Sequence, residues 1–142
     1  MGKYVLLEKA ILWTTVHNGG RDGLKVGAAA VMDEMVSFGY NHLTLDRLYD
    51  VPEIMNDRTT RLRHTVHAEA DCLNNSFFQV KEMYVNYMPC MDCAKKIVAS
   101  KVAKVTVLRC DNEAIAARWQ ASWDEARALF ASNGVQLEEV EL

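Results

Sequence analysis

From His67 onward the 142-residue chain alternates segments of helical and strand pattern, and this alternation limits the fold more tightly than any other feature. The spacing predicts a helix from His67 to Asn75, a strand at Met83–Tyr87, a helix from Cys90 to about Ser100 and a strand at Val105–Leu108. A long helix follows, with Trp119, Trp123, Ala126 and Phe130 on one stripe, and it closes at Asn133-Gly134. Val135 to Val140 is then the last strand. Strands alternating with helices of this length favour an α/β layer sandwich, and the helix between the last two strands can cross over to make those two parallel.

Ahead of this region, apolar residues at helical spacing (Leu7, Ala10, Ile11, Thr14) predict a helix from Tyr4 to His17, stopped by Asn18-Gly19-Gly20. Val26–Met32 and Met35–Tyr40, joined by Asp33-Glu34, read as a β-hairpin. Leu43–His64 is polar, contains Pro52 and carries Arg47, Arg58, Arg61 and Arg63, so it reads as a long loop with at most one helical turn, of the kind that often has a function. No internal repeat or linker interrupts the chain, and half of its residues are apolar, so residues 1–142 are expected to form one domain around one site.

Glu8 and Lys9 break the first apolar run, which rules against a signal-peptide core, and no stretch is apolar for long enough to cross a bilayer. A cytoplasmic protein without membrane contact is the expectation. In a reducing compartment four cysteines read as thiols or metal ligands. The formal net charge of −3 lacks the basic footprint expected for binding long nucleic acid, but a mononucleotide needs only a few local cations.

The chemistry gathers in His67-Ala68-Glu69 and, after a strand-sized gap, Pro89-Cys90-Met91-Asp92-Cys93. Catalytic zinc characteristically takes three protein ligands and keeps a fourth position for water, and His67, Cys90 and Cys93 supply three. Cys90 and Cys93, three apart in a first helical turn, turn both sulfurs the same way, and Pro89 costs nothing at a terminus that needs no amide donor there. Such a helix N-terminus also favours thiolates. Glu69 lies close enough to His67 to reach the same region and move protons. The order H-x-E…P-C-x-x-C resembles the signature of zinc deaminases that act on nucleobases. In that chemistry a water made acidic by the metal gives its proton to Glu69, and the hydroxide attacks C4 of a cytosine ring.

Other readings stay open on the residues alone. A lone Cys-x-x-Cys serves equally as half of a structural zinc knuckle or as a redox pair. A closed structural site would need a fourth ligand from Cys72, Cys110, His17, His42 or His64, and none has a convincing spacing. Cys72 reads as a buried core thiol and Cys110 as structural. His42 and His64 flank the arginine-rich segment and read as solvated in preference to substrate-bound. Tyr40, Tyr87, Trp119 and Trp123 could stack on a base, although helical packing accounts for the tryptophans and Trp123 is assigned to the core. Arg118 and Trp119 lie near an expected strand-to-helix mouth.

Across nearly its whole length the chain resembles the cytidine and deoxycytidylate deaminase superfamily, most of all the deoxycytidylate (dCMP) deaminases. Val26-Gly27-Ala28, Gly39-Tyr40-Asn41, His67-Ala68-Glu69-Ala70 and Pro89-Cys90-Met91-Asp92-Cys93-Ala94-Lys95 carry the likeness. The resemblance implies a three-layer α/β/α sandwich with a five-stranded mixed sheet, Zn2+ held by His67, Cys90 and Cys93, and Glu69 as proton shuttle. It also implies that Asn41 bonds the sugar 3′-hydroxyl and that the Ala68 amide faces the pyrimidine carbonyl. The Ser/Thr-Gln turn common in the family is replaced by Gly20-Arg21-Asp22-Gly23-Leu24-Lys25, so Arg21 and Lys25, joined by Arg58, Arg61 or Arg63, become candidates for the phosphate. For each arginine, a solvated surface charge is the competing reading.

The leading expectation is hydrolysis of dCMP to dUMP and ammonia. The same chemistry serves dCTP, 5-modified dCMP, cytosine, guanine or a tRNA adenosine, and a non-catalytic zinc module is the rival outside enzymology. The resemblance further implies a homo-oligomer, hexamer or dimer, with dCTP and dTTP as possible effectors.

Overall fold

The computed structural model describes residues 3–17 and 24–142. The proposed phosphate residue Arg21, and the Asn18-Gly19-Gly20 stop, lie outside the described residues. Helix α1 (Lys3–Val16) precedes a hairpin of β1 (Gly27–Val31) and β2 (Val36–Tyr40), whose turn is closed by Met32 N–H donating to the Met35 carbonyl at 2.9 Å. Next come the short strands β3 (His42–Leu43) and β4 (Thr65–Val66), with helices α2 (Pro52–Met55) and α3 (Arg58–Arg63) between them. The remainder is α4 (Ala68–Asn74), β5 (Glu82–Val85), α5 (Met91–Ala99), β6 (Lys104–Leu108), α6 (Glu113–Ser132) and β7 (Gln136–Val140).

Five strands form one sheet in the order β2-β1-β5-β6-β7, while β3 and β4 pair separately. β1 runs antiparallel to both its neighbours, and β5, β6 and β7 are mutually parallel, joined through α5 and α6. The sheet is therefore mixed, and its alternating side chains split the core in two. Ala29 and Tyr84 face α1 and cluster with Leu7, Ala10 and Val140. The side chains of Ala28, Ala30, Met83, Val85, Val105 and Val107 face the other way, against Ala68 and Cys72 of α4, Ile97 of α5 and Trp123, Ala126 and Phe130 of α6. This is the expected three-layer α/β/α arrangement. Burying each large apolar side chain contributes roughly 1.5–3 kcal/mol, which is why the long helix settles on its Trp123, Ala126, Phe130 stripe.

Leu43–His64 departs from the expected loop. It carries a 3-10 helix at Asp46–Asp50 followed by α2 and α3. Neither α2 nor α3 contains a buried residue, so the hydrophobic periodicity that marks longer helices is missing. Their starts are nonetheless encoded: Pro52 occupies the first turn of α2, and the Asp57 carboxylate caps α3 by accepting from Thr59 N–H at 3.2 Å. Among the described residues no helix is long and apolar enough to cross a membrane.

Candidate active site

Two helix N-termini converge at the C-terminal end of β5. His67 is the N-cap of α4 and Cys90 the N-cap of α5, both in extended backbone conformation, and Cys93 follows in the first turn of α5. The Ser122 hydroxyl of α6 accepts from Met91 N–H at 2.9 Å, fixing the start of α5 against the long helix. Sequence reasoning did not identify Ser122, because nothing in the spacing of a helix-face serine shows which neighbouring helix it will cap.

His67 Nδ1 lies 3.2 Å from Cys93 Sγ and 3.4 Å from Cys90 Sγ. A tetrahedral ion with ordinary Zn–N and Zn–S bond lengths separates its nitrogen and sulfur ligands by about 3.6 Å, so these donors already stand near the spacing such an ion requires. Their chemistry fits too, since imidazole and thiolate are the donors zinc prefers. Hydrogen bonds from Cys93 and then His67 hold the Cys90 thiol down to about 4, which makes it a ready thiolate. The hydrogen bond between His67 and Cys90 raises His67, and a separate hydrogen bond between Cys93 and Cys90, followed by burial, raises Cys93. Among the described residues these three form the only such donor cluster.

The cluster borders a cavity of about 180 Å³. Glu69, in the first turn of α4, lines it and is 4% exposed. Burial pushes its carboxyl up to about 7, where it can both accept and donate a proton near neutral pH. Among the described residues it is the one carboxyl in the lining. Cys72 lies one turn further along α4, fully buried, and burial raises its thiol; it is the expected core cysteine.

Of the other expected site residues, Asn41, Ala68, Tyr87, Arg118 and Trp119 line this cavity. Asn41 also pins the entry to β1, with Oδ1 accepting from Val26 N–H at 2.9 Å and Nδ2 donating to the Leu24 carbonyl at 2.7 Å. Lys25 is not in the lining, although its neighbours Leu24 and Val26 are. Its carbonyl accepts from Asn86 Nδ2. Tyr40, expected as a base-stacking candidate, is likewise outside the lining and stacks on His17, with ring centroids 5.0 Å apart. Trp123 is buried as expected, with part of its surface on the cavity.

The structure adds residues the sequence reading passed over. His42, read as solvated, lines the cavity, its Nε2 3.3 Å from Asp71 Oδ1, while Asp71 Oδ2 accepts from Tyr40 N–H. Tyr49, Met55 and Leu62 turn inward from the segment that read as a polar loop, together with Arg58 and Arg61; Arg63 and His64 do not. Isolated apolar residues among charges were the available signal.

A three-layer α/β/α domain with a histidine, two cysteines and one buried carboxyl at a shared cavity defines a zinc-binding domain equipped for hydrolytic chemistry. The chain belongs to the cytidine and deoxycytidylate deaminase zinc-binding family, which it matches over residues 4–109. ComE operon protein 2 of Bacillus subtilis (strain 168) is 31% identical over 128 residues, which are 84% of this chain and 61% of that protein. The chain thus spans about three fifths of that curated relative's length. dCMP deaminase from cyanophage S-TIM5 in apo form matches with a TM-score of 0.66 at 22% identity, covering 99% of this chain and 100% of that one. The same enzyme in complex with dCMP and dUMP gives a TM-score of 0.68 at 23% identity over 99% of both chains. These likenesses establish the cytidine deaminase-like fold, and the family establishes zinc as the cofactor that the His67, Cys90, Cys93 cluster fits.

Proposed function

We propose that this chain hydrolyses dCMP to dUMP and ammonia. The observation that carries the proposal is the cavity itself: two of the three clustered zinc donors, His67 and Cys90, line it together with the buried carboxyl of Glu69 and with arginines. Membership of the family and the fold shared with a dCMP deaminase support the same reading.

His67, Cys90 and Cys93 are the metal ligands in this reading. Bound there, zinc supplies a Lewis acid that makes water a nucleophile near neutral pH. Glu69 takes one proton from the attacking water and gives it to ring N3, then takes the remaining hydroxyl proton and gives it to the amine as the C4–N bond breaks, so that dCMP and water become dUMP and ammonia. Its burial keeps bulk water from competing for those protons. Ala68 begins α4, where its N–H has no partner within the helix, and it is suited to the pyrimidine carbonyl. Asn41 retains a second Nδ2 hydrogen for a sugar hydroxyl. Tyr87 and Trp119 offer flat walls for the base.

The test is ammonia release by zinc-loaded protein given dCMP, deoxycytidine or dCTP at matched concentration. Turnover is expected with dCMP above the other two, and Glu69→Ala is expected to lower it about 100- to 10,000-fold while zinc content and folding persist. Equal turnover by Glu69→Ala would remove the glutamate from the mechanism. Preference for another base would replace dCMP as the substrate.

A further inference from the structure

The chain carries a net charge of −3, yet among the described residues three arginines, Arg58, Arg61 and Arg118, line its cavity against one carboxyl, Glu69, and the Cys90 thiol of the metal-donor cluster. Away from the cavity, four basic side chains meet acids: Lys81 with Asp33, Lys104 with Glu138, Arg109 with Glu141, and Arg127 with Asp124 and Glu139. Among the described residues neither Arg58 nor Arg61 forms an ion pair. The nearest acid in sequence, Asp57, is occupied in capping α3, with one oxygen accepting from Thr59 N–H at 3.2 Å and the other from the Thr60 hydroxyl at 2.7 Å. A carboxylate that could neutralise the pair locally is thereby committed elsewhere.

Arg58, Arg61 and Leu62 stand at i, i+3 and i+4, so one face of α3 presents two guanidinium groups and an apolar margin to the cavity, while Arg63 turns away. Arg61 Nη1 donates to the Met55 carbonyl at 3.4 Å, which steadies its fork. The platform is held to the metal end by β4, which leads directly from α3 to His67. The β3–β4 pairing of His42 with Val66, and Thr44 N–H donating to the His64 carbonyl at 2.9 Å, fix that connection. Arg118 sits on α6 beside Trp119, on a different wall.

We propose that Arg58 and Arg61 form the subsite for the substrate's 5′-phosphate, so that α3 makes this a nucleotide-selective site and not a nucleoside one. The assignment rests on the cavity being a nucleotide deaminase site, and it replaces Lys25, which does not line the cavity. Planar guanidinium forks match phosphate oxygens, and a dianion supplies the countercharge that the protein itself withholds.

The experiment uses the zinc-loaded full chain with Arg58→Gln, Arg61→Gln and the double variant, and Arg63→Gln as the control on the outward face. The ratio of kcat/KM for dCMP over deoxycytidine is expected to fall about 10- to 100-fold for each cavity arginine and to hold for Arg63→Gln. In parallel, calorimetric titration with inorganic phosphate and with dUMP measures binding without turnover; both affinities are expected to fall in the cavity variants. An unchanged ratio, or an equal fall on both substrates with unchanged phosphate binding, overturns the assignment. If the parent protein turns over no cytosine compound yet binds phosphate through Arg58 and Arg61, the dCMP reading fails and the anion subsite stands. If it deaminates dCMP while the double variant binds phosphate normally, the subsite fails and the reaction stands.

Discussion

Gly39→Ala tests whether α4 is held in place by contact with the sheet. Gly39 lies on β2 opposite Ala28, and a Cβ built on it would meet the Ala68 carbonyl and would lie 2.5 Å from Cys72 N. Both atoms are α4 backbone, so no side-chain rotation relieves the overlap. Restoring ordinary contact at 3.4 Å requires α4 to retreat by about 0.9 Å. The helix cannot drift freely, because the Ser37 hydroxyl donates to the Cys72 carbonyl at 2.9 Å and Tyr40 N–H donates to Asp71 at 3.1 Å. We expect a loss of about 1–3 kcal/mol in urea unfolding from overpacking. We also expect about a 100-fold fall in kcat/KM, because α4 carries Glu69 at its start and a 1 Å misplacement of reacting groups costs about that much. Gly134→Ala is the contrast. Gly134 has φ of +71° with nothing within 4 Å of its added Cβ, so it should lose about 1 kcal/mol through backbone strain and leave turnover intact. Parent-like stability and activity in Gly39→Ala would refute the close-approach argument.

Phe130→Ala empties a fully buried position between α6 and the sheet and should cost about 3–5 kcal/mol, read from chemical denaturation; a loss below about 1 kcal/mol would mean that the core collapses around the gap. Cys90→Ala removes one of three donors and leaves His67 and Cys93, so bound zinc measured by atomic absorption after dialysis should fall well below one equivalent, and full retention would show that Cys90 is not a ligand.

The His67, Cys90, Cys93 cluster was legible as a candidate set of metal donors because local chain geometry nearly fixes it. Cys90 and Cys93 share one turn of α5, and His67 begins the preceding helix, so the strand-sized gap could close only if two helix starts met at one end of the sheet. The β-hairpin, the parallel pairing of the last two strands and the stripe on α6 followed from alternation and helical spacing in the same way. The segment between β3 and β4 was not legible, because its helices are too short and too polar to show a buried face.

By itself, then, the sequence determined the longer elements and the candidate set of zinc donors, since both depend on residues near one another along the chain or on a period that burial imposes. Only the tertiary structure decided which distant side chains share the cavity. It brings Arg58, Arg61 and His42 to the same lining as Glu69, leaves Lys25 and Tyr40 out of that lining, and assigns Ser122 to the start of α5. Those outcomes depend on how one element lies across another, and single charged or hydroxyl side chains carry no periodic signal of the neighbour they will meet.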